Sequence, residues 1–354
     1  MNSTDNKDTP FRGVPLTNNA SAMLVWVLTQ KIPDCLGFSI TQIDVAAGNK
    51  ETILSSRLVR FKGQKKDGKA GTTADYPIQG CKWVDGTAKE GGRYKWRITA
   101  MIGKPGNLKP GPSFTTSEAT LGFDYGPFVK LCVNRGHLVS SQWLADMLPK
   151  TPEGAPDPAG LIAALKDPES IIAKKLGAYL PNFIRLPFED AIREAWHVYS
   201  LYYELSEPGL VDYLAEHRDI WDMVLSAAGK DDETNAPAAE KLKGKNLKRR
   251  MLDPAFLGHN KLDVVADGKR KPRKVMFKSA NATMTGFYTQ ANYATYFDSP
   301  ELAGQALDYY DRTLADTLGG ILQSPEYRAK NAELPPLVTL PDGTTVQVVF
   351  SPST

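Results

Sequence analysis

The features that are scarce in this sequence narrow the class of protein to which it can belong. Its three cysteines, Cys35, Cys81 and Cys132, are too few in 354 residues for a disulfide framework, so we expect reduced thiols. The longest apolar run, Ala22–Leu28, is about a third of the roughly 20 residues that a membrane helix needs. The first 19 residues are polar and include two aspartates, unlike a secretory signal. These absences disfavour a secreted disulfide-rich domain and a membrane-spanning segment, and they favour a cytoplasmic protein.

Histidine is also scarce, with four residues, and no His or Cys cluster has the spacing of metal ligands. We therefore expect neither a metal nor another cofactor. The apolar fraction of 42% and the charged fraction of 23% are those of a soluble globular protein, long enough for two domains. The net charge of +3 hides an asymmetry, because residues 241–274 contain twelve Lys or Arg against three Asp. Such a segment is either a solvated surface or a site that attracts a polyanion or an anionic membrane face.

The first third of the chain has the pattern of a β-sandwich. Residues 1–20 are predicted to be a polar tail, and residues 21–118 contain short apolar runs between Gly-, Pro- and Lys-rich turns. From Arg93 onward, charged and large apolar residues alternate as in a strand with one buried face. The preceding turn places Tyr94 where sandwiches often have a tyrosine that ties a corner. This stretch resembles a fibronectin type III-like sandwich, and we predict a spacer or docking module.

The remainder alternates between helical and strand patterns. Residues 119–158 are predicted to form a helix and a Pro-rich linker, and residues 159–330 an α/β layer. The prediction for that layer is a mixed, largely parallel sheet with flanking helices, the last of them over residues 298–318. Residues 331–354 are predicted to be a terminal hairpin and tail around a Pro-Asp-Gly turn.

Two short segments place polar residues inside apolar strand patterns. Alternate side chains of a strand share a face, so His259 and Lys261 should point the same way, as should Ser279 and Asn281. The connection over residues 267–274 is short, so the two strands can be neighbours in one sheet. We therefore expect a histidine, a lysine, a hydroxyl and an amide to converge.

That combination suits phosphodiester chemistry. A lysine ammonium and neutral donors can stabilise the charge that spreads over the phosphate oxygens in the transition state. A neutral imidazole is a competent nucleophile toward phosphorus, and a nearby carboxylate can hold its tautomer. The alternative is a structural polar patch, although four convergent polar groups among apolar strands would be costly without a ligand.

The pattern His259-x-Lys261, Asp267, Ser279-x-Asn281 resembles the HxK…D…GSxN signature of the phospholipase D superfamily. The resemblance implies that His259 is the nucleophile and forms a phosphohistidine. It also implies that Lys261 and Asn281 bind the phosphate oxygens, that Ser279 assists, and that Asp267 supports the histidine. Segments 134–142, 201–205 and 289–292 are similar to bacterial phospholipase D-like proteins.

The sequence departs from the family pattern in three ways. Five residues separate Lys261 from Asp267 where the family has four, which makes Asp263 a rival for the aspartate role. Lys278 replaces the glycine that usually precedes Ser279, and it could crowd the phosphate or add a cation. Only one motif is present, whereas the family's site uses two, with the second histidine protonating the leaving group.

The other histidines, His137, His197 and His217, have no lysine two residues on, so none of them begins a second motif. A second half is therefore expected from a homodimer or from another chain. We predict a phospholipase D-type phosphodiesterase, with a phospholipid favoured as the substrate. The alternatives are a nuclease that acts on DNA or RNA, which the basic segment suits equally well, and a phosphate-binding half-site without catalysis.

Overall fold

The computed structural model describes residues 9–56, 71–140, 142–167, 169–227, 230–250, 258–316 and 324–351. The chain divides into two compact units, Met1–Phe123 and Asp124–Thr354. Within the described residues no helix is both long and apolar enough to cross a membrane. Cys35, Cys81 and Cys132 are free thiols.

The described part of the first unit is made of antiparallel strands. Their bounds are β1 Phe11–Thr17, β2 Ala22–Leu28, β3 Cys35–Asp44, β4 Lys50–Ile53, β5 Ser55–Ser56, β6 Gly71–Thr72, β7 Lys82–Asp85, β8 Arg93–Lys104, β9 Asn107–Thr115 and β10 Ala119–Thr120. One sheet has the order β1-β2-β7. A second sheet has the order β10-β8-β3-β4, with β9 also paired to β8, and β5 pairs with β6.

A shared apolar core lies inside this unit. Trp26 comes from the first sheet, and Ile40 and Trp96 come from the second. The Lys89 amide donates a hydrogen bond of 3.2 Å to the Tyr94 hydroxyl, which ties the turn before β8 to that strand. The described part of this unit is thus all-β, with two larger sheets and the short β5–β6 pair, and the fibronectin type III-like assignment stays a prediction.

The first strand begins earlier than the sequence suggests. Phe11, inside the predicted polar tail, is fully buried and pairs with Leu28. Its strand carries Gly13 and Pro15 at the other inward positions, so only one large apolar residue marks the buried face. The alternation was therefore too weak to predict β1.

The second unit contains the remaining strands and the helices of the described chain. The strands are β11 Val129–Val133, β12 His197–Tyr202, β13 Trp221–Ser226, β14 Leu247–Arg250, β15 Lys261–Ala266, β16 Pro272–Lys278, β17 Tyr293–Asp298, β18 Val338–Thr339 and β19 Thr345–Val346. The helices are α1 Gln142–Met147, α2 Pro158–Lys166, α3 Ile171–Gly177, α4 Leu180–Phe183, α5 Leu186–Glu194, α6 Pro208–Glu216, α7 Lys230–Lys241, α8 Pro300–Ala315 and α9 Pro325–Ala332. Short 3₁₀ turns span Gly136–Ser140 and Arg218–Ile220, and a π-helical turn spans Thr285–Thr289.

Seven strands form the central sheet in the order β11-β17-β16-β15-β12-β13-β14. Only β12 with β13 and β13 with β14 are parallel pairs, and the other four pairings are antiparallel. The predicted mixed α/β class is confirmed, but a largely parallel sheet is wrong. The physical reason is connection length: β15 and β16 are joined by a tight turn, which allows only antiparallel pairing, whereas parallel strands need a crossover.

Helices cover both faces of this sheet. Helix α5 packs against β12, β15 and β16, while α8 packs against β12, β15 and β16 together with a core that contains Leu262, Val264 and Val275. Ser299 caps α8 by accepting a 3.3 Å hydrogen bond from the Leu302 amide, as an N-cap serine should. One stripe of α8 is buried at helical spacing and comprises Leu302, Ala303, Ala306, Leu307 and Tyr310.

The two segments that flank the predicted α/β layer both lie almost entirely in the second unit. Strand β11 lies inside the predicted linker over residues 119–158 and pairs with β17. The hairpin predicted within residues 331–354 is present as the antiparallel β18–β19 pair, and the segment also gives Val338, Leu340 and Phe350 to the core of the second unit. A strand as short as β11 carries little periodicity, so its pairing comes from the sheet that it joins.

Candidate functional site

Three strand ends meet at one end of the central sheet. β12 ends at Tyr202, which pairs with Lys261, the first residue of β15. β15 pairs with β16 in a register that sets Leu262 opposite Phe277, so β16 ends at Lys278, level with Lys261. The residues just beyond these strand ends are therefore brought together by the sheet register.

His259 and Lys261 lie against the same aromatic ring. The His259 imidazole is 4.6 Å from the Tyr203 ring, centroid to centroid, in an edge-to-face arrangement. The Lys261 ammonium lies 5.4 Å from the centroid of that ring. His259 is exposed to solvent, whereas Lys261 is partly buried. The pair thus presents an accessible imidazole beside a cation.

The residue between them is anchored on the other face of the sheet. Asn260 Oδ1 lies 2.9 Å from the Tyr309 hydroxyl of α8, which also lies 2.8 Å from the carbonyl of Ser351. Burial raises the pKa of Tyr309 to about 12, so this hydroxyl stays protonated and able to donate. Asn260 and α8 therefore fix the short segment on which His259 is carried.

Asn281 joins the same end of the sheet through Glu204. Its amide donates to Glu204 Oε2, and the Ala282 amide donates to the Glu204 carbonyl at 3.1 Å. Asn281 Oδ1 is buried and has no hydrogen-bond partner among the described residues. Gly286, in the π-helical turn, permits this packing, because a Cβ there would lie 2.3 Å from the Asn281 carbonyl oxygen. We call His259, Lys261, Tyr203, Glu204 and Asn281 the His259 cluster.

Lys261 has an unusual ionisation. Burial lowers its pKa to about 8, while the Glu204 carboxylate acts to raise it and the Lys278 ammonium acts to lower it. Each cause has a clear sign, because a low-dielectric environment and a second cation both disfavour the charged amine. Near neutral pH the side chain is mostly a cation that is poorly solvated and therefore suited to an anionic ligand.

Lys278 lies deeper and is used for an internal ion pair. Its ammonium bonds to Asp263 Oδ2, and the two side chains are 1% and 0% exposed. Asp263 Oδ1 also accepts a 2.8 Å hydrogen bond from the Ser200 hydroxyl, and the Lys278 ammonium lies 3.9 Å from the Tyr202 ring centroid. Burial lowers the pKa of Lys278. Lys278 is thus a second cation beneath Lys261, and Asp263 is its counter-ion.

Ser279 is held by a different set of partners. Its hydroxyl donates to Asn292 Oδ1 and accepts from the Tyr293 amide, both at 2.9 Å. Asn134 Oδ1 accepts a 2.9 Å hydrogen bond from the backbone amide of Asn292. Segments 134–142 and 289–292, which both resemble segments of bacterial phospholipase D-like proteins, therefore meet here. The Ser279 hydroxyl is thus held by Asn292 and Tyr293, neither of which belongs to the His259 cluster. The structure places it beside the cluster with its hydroxyl directed to β17.

The structure does not bring Asp267 to this end of the sheet. Asp267 follows the last residue of β15, so the whole strand separates it from Lys261. Its carboxylate accepts from the Lys269 and Lys271 amides at 2.9 Å and pairs with Arg273 at 2.7 Å. These bonds, the Lys271 amide first, lower the pKa of Asp267. It holds the turn between β15 and β16, and Glu204 is the carboxylate within the cluster.

Comparison with known proteins gives distant similarities only. No protein-family model and no curated protein matches the chain. Solved structures that resemble it include a phospholipase D family member. This is Nuc from Salmonella typhimurium, with 12% identity, 52% of this chain and 92% of that chain covered, and a TM-score of 0.29.

Two further structures are similar to the same degree. NucT from Helicobacter pylori shares 16% identity over 40% of this chain and 94% of that chain, with a TM-score of 0.29. Polyphosphate kinase from Porphyromonas gingivalis shares 13% identity over 64% of this chain and 33% of its own length, again with a TM-score of 0.29. Because all three TM-scores and identities are low, the function proposed below depends on the residues of this chain.

The remaining histidines belong to other surroundings. His197 Nε2 lies 2.9 Å from Asp222 Oδ2, and the His217 ring lies 4.7 Å from the Tyr213 ring. The His137 side chain lies outside the described residues. His259 is therefore the histidine that the described structure places beside Lys261.

More than half of the cations in the basic segment, residues 241–274, are paired with acidic residues. Seven of its twelve cations form ion pairs, and these are Lys241, Lys243, Arg249, Arg250, Arg270, Arg273 and Lys274. Arg250, for example, is 3.5 Å from the buried carboxylate of Asp316. Residues 251–257 of the segment lie outside the described residues. Ion pairing therefore offsets part of the charge excess that was counted along the sequence.

Sequence reasoning gave no role to Tyr203 and Glu204. Both follow β12, and both were included only in a segment that resembles the family. A usable signal was present, since an acidic residue directly after an apolar strand often lies at the end of a sheet. What could not be predicted was the antiparallel pairing of β12 with β15, which sets that residue beside Lys261.

Proposed function

We propose that this chain is a phosphodiesterase of the phospholipase D type, with His259 as its nucleophile. The observation that supports this most is the accessible imidazole beside a desolvated lysine on one tyrosine ring. An imidazole in this position can approach phosphorus, while the ammonium lies where a phosphate oxygen would be bound.

The reaction follows in two balanced steps. A ring nitrogen of His259 attacks phosphorus, an N–P bond forms, and the P–O bond to one alcohol breaks with its electron pair on that oxygen. A water molecule then attacks the phosphohistidine, the N–P bond breaks, and a phosphomonoester and the free imidazole result. Lys261 and the second N–H of the Asn281 amide stabilise the charge on the phosphate oxygens in both steps.

The departing alkoxide needs a proton, and a general acid typically contributes about 10²- to 10⁴-fold in rate. The cluster holds a single histidine, so the proposal includes a second copy of this chain, whose own His259 donates that proton. A two-fold symmetric dimer places the two clusters face to face at the lowest structural cost. A second chain with an equivalent motif is the alternative source.

The substrate that we favour is a phospholipid. Ion pairing of most cations in the basic segment reduces the attraction for a polyanion, which argues against a nuclease that depends on that segment. One observation favours the second candidate, a phosphate-binding half-site without turnover. It is the engagement of the Ser279 hydroxyl with Asn292, which removes one donor from the phosphate.

The direct test is turnover of bis(4-nitrophenyl) phosphate by the intact chain. His259→Ala should abolish release of nitrophenolate, while His217→Ala should retain it, with both variants checked for folding by circular dichroism. Acid quenching and mass spectrometry should detect a nitrophenylphosphoryl adduct on His259 in the wild type. Full activity of His259→Ala would end the assignment. An inactive wild type that still binds sulfate at Lys261 would instead support the half-site.

A further inference from the structure

The second unit contains a cavity of about 670 Å³, which is within the size range of small-molecule sites. It lies between α3, α4, α6 and the π-helical turn. Most of its walls are apolar, and they include Leu165, Ala173, Gly177, Pro181, Pro208 and Met284. A cavity of this size can hold an organic molecule, and its apolar walls favour one with an apolar body.

The Arg185 side chain lines the cavity and forms no ion pair within the described residues. The Arg185 guanidinium stacks 5.1 Å from the centroid of the Tyr213 ring. Its Nε is buried and has no hydrogen-bond partner in the described part of the chain. The side chain as a whole is only partly buried, so its other guanidinium donors can reach a ligand. The planar donors of a guanidinium match carboxylate, sulfonate and phosphate groups.

A carboxylate lies close to that guanidinium across a gap. Glu207 also lines the cavity, and its Oε2 caps α6 by accepting a 2.6 Å hydrogen bond from the Leu210 amide. A Cβ on Gly209 would lie 3.2 Å from Arg185 Nη2 and 3.3 Å from Glu207 Oε1. The absence of a side chain at Gly209 thus keeps the space between the two charges open. An anion with an adjacent N–H or O–H donor would satisfy both.

The cavity adjoins the His259 cluster along the chain. Glu207 follows Glu204 by three residues, and Met284 follows Asn281 by three residues. Three residues span at most about 11 Å, so both walls of the cavity begin close to the cluster. Its lining is nevertheless separate, since no member of the cluster lines it.

We propose that this cavity binds a small organic anion. The apolar body of the ligand occupies the cavity, its anionic group binds Arg185, and an adjacent donor binds Glu207. This binding does not require the proposed catalysis, so it can be tested whether or not the chain turns over a diester.

The probe is 8-anilinonaphthalene-1-sulfonate, which carries a sulfonate beside an N–H on an aromatic body. N-phenyl-1-naphthylamine has the same body without the sulfonate and serves as the matched ligand. Fluorescence titration of the full chain should give saturable binding of the sulfonate. Arg185→Gln should weaken that binding by about 10-fold or more, as expected for a lost charged hydrogen bond, and should leave the neutral probe within about 2-fold.

Two further variants test whether the probes bind in this cavity. Arg193→Gln removes an equivalent charge from α5 at a side chain that is 60% exposed, and it should change neither titration. Gly209→Leu places a good helix former in the first turn of α6 and fills the gap, so it should weaken binding of both probes. Equal effects of Arg185→Gln and Arg193→Gln, or undiminished binding to Gly209→Leu, would overturn the proposal. If Arg185→Gln does not fold, the Gly209→Leu titration decides alone.

Discussion

The Asn281 amide donates a hydrogen bond to the carboxylate of Glu204, 77 residues earlier in the chain. The same carboxylate acts electrostatically on Lys261, whose pKa it raises against the effect of burial. One side chain therefore positions the amide of Asn281, beyond the end of β16, and tunes the ammonium of Lys261 at the start of β15. Glu204 is the carboxylate of the cluster, whereas Asp267 lies beyond the far end of β15.

Anion binding should weaken as the pH rises through about 8. Burial lowers the pKa of Lys261 to about 8, so the side chain loses its charge above that pH. Sulfate is a suitable probe, because its own charge is constant over this range. We expect its dissociation constant, followed by chemical-shift titration, to rise between pH 7 and about pH 9.

Two variants of that titration separate charge from position. Lys261→Arg keeps its charge at all these pH values and should bind sulfate with a flat profile. Glu204→Gln removes the charge that raises the pKa of Lys261, so the loss of binding should move to lower pH. Glu240→Gln, on an exposed residue paired with Lys243, is the control and should reproduce the wild-type profile. A flat wild-type profile would contradict the role of Lys261.

The buried pair of Lys278 and Asp263 should be important for stability. Lys278→Met leaves a buried carboxylate with Ser200 as its remaining partner, and breaking such a pair typically costs about 3 to 5 kcal/mol. The double variant Lys278→Met/Asp263→Leu removes both charges and should recover most of the loss. Urea unfolding measures both free energies.

A surface pair provides the comparison. Lys130 and Asp124 form an exposed ion pair in the same unit, and Lys130→Met should change the free energy of unfolding little. A Lys278→Met variant as stable as Lys130→Met would show that the interior pair contributes no more than a solvated one. The difference in unfolding free energy between the single and the double variant gives the cost of a buried charge without its partner. The loss that remains in the double variant reflects changed packing.

Substitutions in the basic segment should divide into two classes. Lys245, Lys248, Lys269 and Lys271 are exposed, and replacing them with Gln should lower affinity for DNA or anionic vesicles and flatten its salt dependence. Arg250→Gln should instead lower stability, because Arg250 pairs with buried Asp316 and donates to the Thr313 carbonyl at 2.9 Å. Measuring the binding to DNA and to vesicles at one ionic strength compares the nuclease hypothesis with the phospholipase hypothesis. Unchanged binding of the fourfold variant to both would assign the segment to a solvated surface.

A shared active site should appear in mixing experiments. Wild-type chain is co-refolded with about a threefold excess of His259→Ala, and activity per wild-type subunit should fall to about a quarter, because mixed dimers lack one of the two histidines. The same excess of His217→Ala should leave the activity per wild-type subunit unchanged. Light scattering on each sample gives the mass of the species. Activity that simply follows the amount of wild-type chain would contradict a site built from two copies.

The sequence by itself determined the local features of this protein. Alternation placed His259 and Lys261 on one side of a short segment and directed Asn260 to the other, and the structure has that arrangement. A strand fixes such faces through its two-residue period, whatever its neighbours are. The short turn after Ala266 likewise made β15 and β16 neighbours.

Tertiary structure decided which groups meet. Pairing of β12 with β15 brought Glu204 to Lys261, and β17 drew the Ser279 hydroxyl to Asn292, although nothing in local spacing records these pairings. It also paired Lys278 with Asp263 in the interior and matched five of the twelve cations of the basic segment with distant carboxylates. Charge and hydrogen-bonding capacity can be counted along a chain, but their partners depend on distances that only the folded sheet sets.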